Sequence, residues 1–163
     1  MPRAGPALNH ALGTCPARRE RALSRERSAG RRSMSADLIA AAEGAAKRAY
    51  APYSRFRVGA AVRGASGAVY AGCNIENASY PQGWCAEPSA LSALVMAGET
   101  RITEVAVWAD SARPCTPCGG CRQKLAEFGS AETPVISAGP GGERARWTLG
   151  ALLPEAFSLE GEA

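Results

Sequence analysis

The chain lacks any long apolar run. Its uninterrupted hydrophobic stretches are only a few residues long, far short of the roughly 20 that a membrane-spanning helix needs, so the expectation is a soluble protein. No apolar leader core stands near the start, so the six cysteines are expected to be reduced thiols of a cytosol rather than a disulfide framework. Histidine is almost absent, with His10 the sole example. What is present is enough for one core: 163 residues, 46% of them hydrophobic, predict one folded domain.

The net charge of +4 is unevenly spread. Residues 1–33 carry eight arginines against Glu20 and Glu26, a net of +6, which leaves the remainder at −2. A slightly acidic body gives no reason to expect a specific nucleic-acid partner, because binding there is driven by clustered cations, and the basic arm alone is expected to bind polyanions only weakly and unspecifically. Residues 1–33 also mix Pro, Gly, Ser and Arg without an apolar period, and the expectation is a disordered arm. An Arg-rich transit segment is the rival reading, with Glu20 and Glu26 out of place in it. Met34 offers a second start, and 34–163 is expected to be the domain.

From Ser35, Leu38, Ala42, Ala45 and Ala49 recur at helical spacing, and the pattern stops before Pro52. Residues 57–63 and 68–73 read as a hairpin of strands turning around Gly64–Gly67. A helix is predicted from Cys85 to Met96, a buried strand over 102–109, and a further helix from Cys118 to Phe128. Short strands near 133–138 and 144–149 follow, with a Leu152–Phe157 tail. Strands interleaved with helices predict an α/β sandwich around one sheet, without internal repeats.

Three cysteines fall within seven residues, Cys115, Cys118 and Cys121, which is metal-ligand spacing. Cys118 and Cys121, three apart, share a helix face, and Cys85 opens the other predicted helix. Helix N-termini favour thiolates, so Cys85, Cys118 and Cys121 are the expected ligands of one zinc ion. Three ligands leave the fourth tetrahedral position to water, as in catalytic rather than structural zinc sites, and zinc lowers the pKa of such water from about 15.7 to about 7. Glu87, two residues after Cys85, reaches that position without being a ligand and is the expected proton shuttle. An iron–sulfur reading fails on the fourth cysteine, whose place is taken by Leu125. Cys115 is then a spare loop thiol, Cys73 packs at a strand end and Cys15 is solvent-exposed; Trp84, Trp108 and Trp147 are read as packing residues.

Three ligands with a Pro-Cys-x-x-Cys pair and a non-ligating glutamate is the arrangement of zinc deaminases. Cys85-Ala86-Glu87 with Pro117-Cys118-Gly119-Gly120-Cys121 resembles the small, homotetrameric cytidine deaminases, and the resemblance runs from about Tyr50 to Phe157. It implies a three-layer α/β/α sandwich with a mixed five-stranded sheet and hydrolysis of cytidine and deoxycytidine, in which hydroxide attacks C4 while Glu87 serves N3 and the departing amine. With His10 in the arm, the ligand set is all cysteine. Ala51-Pro52-Tyr53-Ser54-x-Phe56-x-Val58-Gly59-Ala60 matches the family's segment whose aromatic, here Phe56, lines the base pocket. Asn74-Ile75-Glu76-Asn77-Ala78-Ser79-Tyr80 matches its ribose segment, implying that Asn74 and Glu76 hold sugar hydroxyls. Ala86 offers its backbone to the pyrimidine edge, and Tyr80 and Phe157 approach a neighbouring subunit's pocket in a tetramer with shared sites. The departure is Pro88, where the family has arginine; Arg122 or the helix N-termini are expected to balance the thiolate charge instead. Competing readings are a blasticidin-type aminonucleoside deaminase and a non-catalytic zinc module that keeps the fold.

Overall fold

In the computed structural model, residues 35–159 are described, and the expectations for residues 1–33 and for Cys15 lie outside them. No helix among the described residues is long and apolar enough to cross a membrane. Helix α1 runs through residues 35–46, followed by β1 (Val58–Gly64), β2 (Val69–Cys73), a 3-10 turn at Tyr80–Gln82, α2 (Ala86–Met96), β3 (Ile102–Ala109), α3 (Gly119–Phe128), β4 (Pro134–Gly139), β5 (Gly142–Thr148) and α4 (Leu149–Leu152).

The strands form one sheet in the order β2-β1-β3-β4-β5. Every pair is antiparallel except β3 with β4, whose parallel pairing (Val105 opposite Val135, Val107 opposite Ser137) requires the crossover that α3 supplies. Alternation along the strands builds two cores. Ala60, Val62, Val105, Val107 and Val135 meet α2 and α3 through Ala90, Leu91, Leu94 and Leu125, whereas Ala61, Ala106 and Ile136 meet α1 through Leu38 and Ala42. The result is the expected α/β/α sandwich.

Small residues let the helices approach closely. A Cβ at Gly59 would stand 1.9 Å from the carbonyl oxygen of Ala42, so α1 lies directly on β1. On the other face, a Cβ at Gly72 would come within 2.4 Å of the Ala90 nitrogen, which fixes α2 against β2. The start of α1 is held by a partly buried charge network. Arg63 pairs with Asp37 at 2.7 Å and Glu104 at 3.6 Å, Arg146 reaches Glu104 at 3.3 Å, and the Ser35 hydroxyl donates to Glu104 at 2.7 Å. Removing Glu104, which is buried and pairs with both arginines, costs on the order of 3–5 kcal/mol, because Arg63 stays charged and desolvated; the exposed Asp37 contributes far less.

Candidate active site

Cys85 is the N-cap of α2 (φ −75°, ψ 162°) and Cys118 the N-cap of α3 (φ −66°, ψ 167°), and neither side chain caps its own helix. Both sulfurs are thereby free to turn toward Cys121, which is buried in the first turn of α3. The three sulfur atoms lie within 4.8 Å of one another. The first turn of α2 is anchored by Ser89, whose hydroxyl bonds the carbonyls of Cys73 at 3.0 Å and Cys85 at 3.1 Å.

Burial pushes the Cys85 thiol above its ordinary pKa, and burial followed by the neighbouring Glu87 carboxylate pushes Cys121 up much further. Burial also opposes ionisation of Cys118, but the backbone N–H of Cys121 and the adjacent thiols outweigh it and bring Cys118 below 9.0. The protein alone therefore eases ionisation of one converging sulfur and opposes that of the other two. A soft divalent cation is what such a donor set fits, since it deprotonates the thiols it binds.

Glu87, 4% exposed, sits in the same first turn of α2, with Oε2 accepting from the Cys121 thiol at 3.3 Å. Burial raises its pKa, opposed by its backbone N–H, Cys121 and the positive charge of Lys124. Lys124 itself lies 5.8 Å from the centroid of the Trp84 ring. Trp84 is 48% exposed, so it serves as a ledge for this lysine rather than as the core residue its size suggests. Arg122 spends its guanidinium on neutral oxygens, the carbonyls of Pro117 and Leu152 at 2.8 Å each and Thr116 Oγ1 at 3.4 Å. Among the described residues no carboxylate pairs with it, and it braces the segment that leads into Cys118.

A second assembly is built from residues 50–58 and 74–84. Ile75 exchanges backbone hydrogen bonds with Trp84 at 2.8 Å each way, while Tyr50 N–H donates to Asn74 O at 3.1 Å and Glu76 N–H to Tyr50 O at 2.8 Å. These stitches bring the Asn74–Tyr80 segment alongside the approach to Cys85. A cleft of about 380 Å³ results, lined by Tyr53, Ser54, Glu76, Asn77, Tyr80 and Gly83. The rings of Tyr53 and Tyr80 meet edge to face at 5.9 Å.

Glu76 and Tyr80 thus share this cleft, whereas Asn74 and Phe56 adjoin it through one another: Asn74 Nδ2 donates to Phe56 O at 3.0 Å and Asn74 Oδ1 accepts from Val58 N–H at 2.8 Å. Phe56 is 43% exposed. Ala86 is buried at the first position of α2. Phe157, 72% exposed, stands apart, its backbone pinned to α3 by paired bonds with the Gln123 side chain at 2.8 and 3.1 Å. Cys115 is half-buried against the larger core, as a packed loop thiol should be. Sequence reasoning passed over Ser54 and Gln123; Ser54 stands in the matched segment beside Phe56, but nothing in its spacing signals the bonds it makes.

Fold and site together define a class, that of a zinc-dependent hydrolase: two helix N-termini on one face of a sheet converge three thiols within 4.8 Å beside a buried carboxylate, a donor set that fits one divalent cation. A family model described as the cytidine and deoxycytidylate deaminase zinc-binding region matches residues 32–137, and the chain belongs to that family. It is 44% identical over 123 residues to a cytidine deaminase of Sporosarcina psychrophila, covering 76% of this chain and 90% of the relative. A cytidine deaminase of Halalkalibacterium halodurans is 46% identical over 123 residues, covering 76% and 93%. Among solved structures, the cytidine deaminase of Burkholderia pseudomallei superposes with a TM-score of 0.70 at 43% identity, covering 74% of this chain and 97% of that one.

Proposed function

We propose that this chain hydrolyses the 4-amino group of cytidine and 2′-deoxycytidine, yielding uridine or 2′-deoxyuridine and ammonia. The observation that carries the reading is the convergence of Cys85, Cys118 and Cys121 within 4.8 Å, with Glu87 Oε2 3.3 Å from one of the sulfurs. Those three thiols would hold one zinc ion per subunit, and the bound ion supplies the Lewis acidity that makes water nucleophilic at neutral pH.

Glu87 takes the proton that water gives up and delivers it to ring N3 as C4 is attacked. It then moves the remaining hydroxyl proton to the amine, so that the C4–N bond breaks with ammonia as the leaving group. A carboxyl whose pKa is raised by burial suits both directions of transfer. Phe56 borders the ring, Ala86 presents its backbone to the pyrimidine edge, and Asn74 and Glu76 meet the sugar hydroxyls. The domain carrying this activity is 34–163, and its place is pyrimidine salvage in the cytoplasm.

A homotetramer with shared sites accompanies this reading. An apolar groove of about 620 Å³ runs between α2 and α3 along Trp84, Pro88, Leu91, Val95, Met96 and Phe128, with Met96 87% exposed. Together with the outward-facing rings of Tyr80 and Phe157, it supports burial of this face against further copies of the chain. Light scattering should report four subunits, and Val95→Glu should shift the mass downward; a monomeric parent protein would refute the assembly.

The experiment for the reaction is a cytidine absorbance assay paired with metal analysis on the same sample. Glu87→Gln should keep one zinc per subunit and lose at least about 10²–10⁴-fold in kcat, the range of a proton-transfer catalyst. Turnover persisting in that variant overturns the shuttle role.

A further inference from the structure

The turn at residues 53–58 is held by more bonds than an exposed loop needs. Glu76 Oε2 accepts from the backbone N–H of Tyr53 at 2.9 Å and of Ser54 at 3.2 Å, while its Oε1 accepts from the Ser54 hydroxyl. That hydroxyl in turn accepts from the N–H of Phe56 at 2.9 Å. Downstream, Asn74 grips the carbonyl of Phe56 and the N–H of Val58. Between these two clamps stands Arg55 at φ 58°, the single non-glycine residue with positive φ among the described residues. A left-handed arginine is unfavourable on its own and persists only where neighbouring bonds over-determine the backbone.

The clamped turn carries two exposed aromatics, Tyr53 and Phe56, and one hydroxyl, that of Ser54, links its two halves and bonds the Phe56 N–H directly. We infer that Ser54 is a positioning residue: its hydroxyl ties the aim of the Phe56 ring to the carboxylate of Glu76, so that the group meeting the sugar and the ring bordering the base are set as one unit. This rests on the reading that Phe56 borders the pyrimidine. Ser54 touches neither the thiol cluster nor Glu87 among its bonds, and it acts on substrate placement rather than on proton transfer. Removing its oxygen leaves the Phe56 N–H without its acceptor and Glu76 Oε1 without a donor, and the strain at Arg55 then has a route to relax.

The test uses the full-length, zinc-loaded chain and cytidine, comparing the parent with Ser54→Ala, Ser54→Thr, Phe56→Ala and the Ser54→Ala/Phe56→Ala double variant. Ser54→Ala should raise KM about tenfold, the scale of one hydrogen bond to a charged group, with kcat within about twofold of the parent. Threonine, which keeps the hydroxyl, should restore KM to within about threefold of the parent. In the Phe56→Ala background the alanine at position 54 should add nothing, as coupled residues do in a double-mutant cycle. If Phe56→Ala leaves KM unchanged, the base-pocket reading itself fails and this inference with it. If Phe56→Ala raises KM while Ser54→Ala does not, or the two effects simply multiply, only the role of Ser54 is overturned.

Discussion

A single methyl group added at Gly72 should damage catalysis from a position that makes no contact with substrate. An alanine Cβ there would stand 2.4 Å from Ala90 N, 2.5 Å from Ser89 Cβ and 2.6 Å from Ser89 C, all in the first half of α2. Ordinary van der Waals contact begins at 3.4 Å, so relief requires α2 and β2 to part by about 1 Å. Ser89 is the residue that bonds both Cys73 O and Cys85 O, and Glu87 lies two positions before it. A shift of α2 therefore carries Cys85 and Glu87 away from Cys118 and Cys121, which α3 holds. Misplacement by about 1 Å costs on the order of 100-fold in rate, and overpacking costs about 1–3 kcal/mol in stability. Gly72→Ala should accordingly lose about two orders of magnitude in kcat/KM for cytidine while remaining folded, with zinc bound more weakly in a chelator titration. The reasoning is refuted if the variant loses stability but keeps parental activity, because the edge strand β2 would then have yielded in place of α2.

Other consequences are as direct. Arg122→Gln removes two charged hydrogen bonds, to Pro117 O and Leu152 O, each worth about 1.5–3 kcal/mol, so thermal unfolding should drop measurably. Arg122→Lys keeps the charge without the fork; if that charge offsets the thiolates, the lysine variant should retain more turnover per folded molecule at neutral pH than the glutamine variant, and an equal loss in both removes Arg122 from the electrostatic account. Glu99 accepts from the Ser66 hydroxyl, the Tyr70 hydroxyl and the Ser66 N–H, and these bonds hold it below its ordinary 4.5. Its stabilising contribution is therefore fully present above 4.5 and lost as pH falls through its lowered folded value. The melting temperature of Glu99→Gln should lie below the parent's at pH 7 and converge on it as pH falls through the lowered folded value, whereas a constant gap would count against the clamp. Stripping zinc with a chelator should lower the melting temperature along with activity, since a cation bound only by the folded state stabilises it; loss of activity alone would mean that the three thiols do not hold the ion.

Much of the frame was legible because it rests on periodicity. Ile102, Val105, Val107 and Trp108 predicted β3 with the bounds it has, since a strand covered on both faces carries apolar residues on both alternating sets of positions. The two helices beside the site were legible to within one residue, and that residue matters: Cys85 and Cys118 are caps with extended backbone rather than first helical positions. Helix α4 escaped notice because four residues carry no period; only the Thr148 side chain accepting from Ala151 N–H at 3.2 Å marks its start. Trp84 is half-exposed in the single chain despite its size, and its contact with Lys124 on α3 is one that no linear pattern encodes.

The Asn74–Tyr80 segment shows the deeper limit. Asn74 and Glu76, two apart on an extended stretch, do face one side, as spacing requires, but that side is the turn at 53–58, whose donors and acceptors already occupy both side chains. Residue type and spacing reveal that a polar group has somewhere to point; which hydrogen bonds it has already made depends on a loop 20 residues away along the chain. Under the proposed reading, a sugar hydroxyl entering the cleft bonds Glu76 alongside its existing donors, using the carboxylate's remaining lone pairs. On that reading, the strength of the contact depends on how firmly the turn is held, and so on backbone geometry at Arg55 as well as on Glu76.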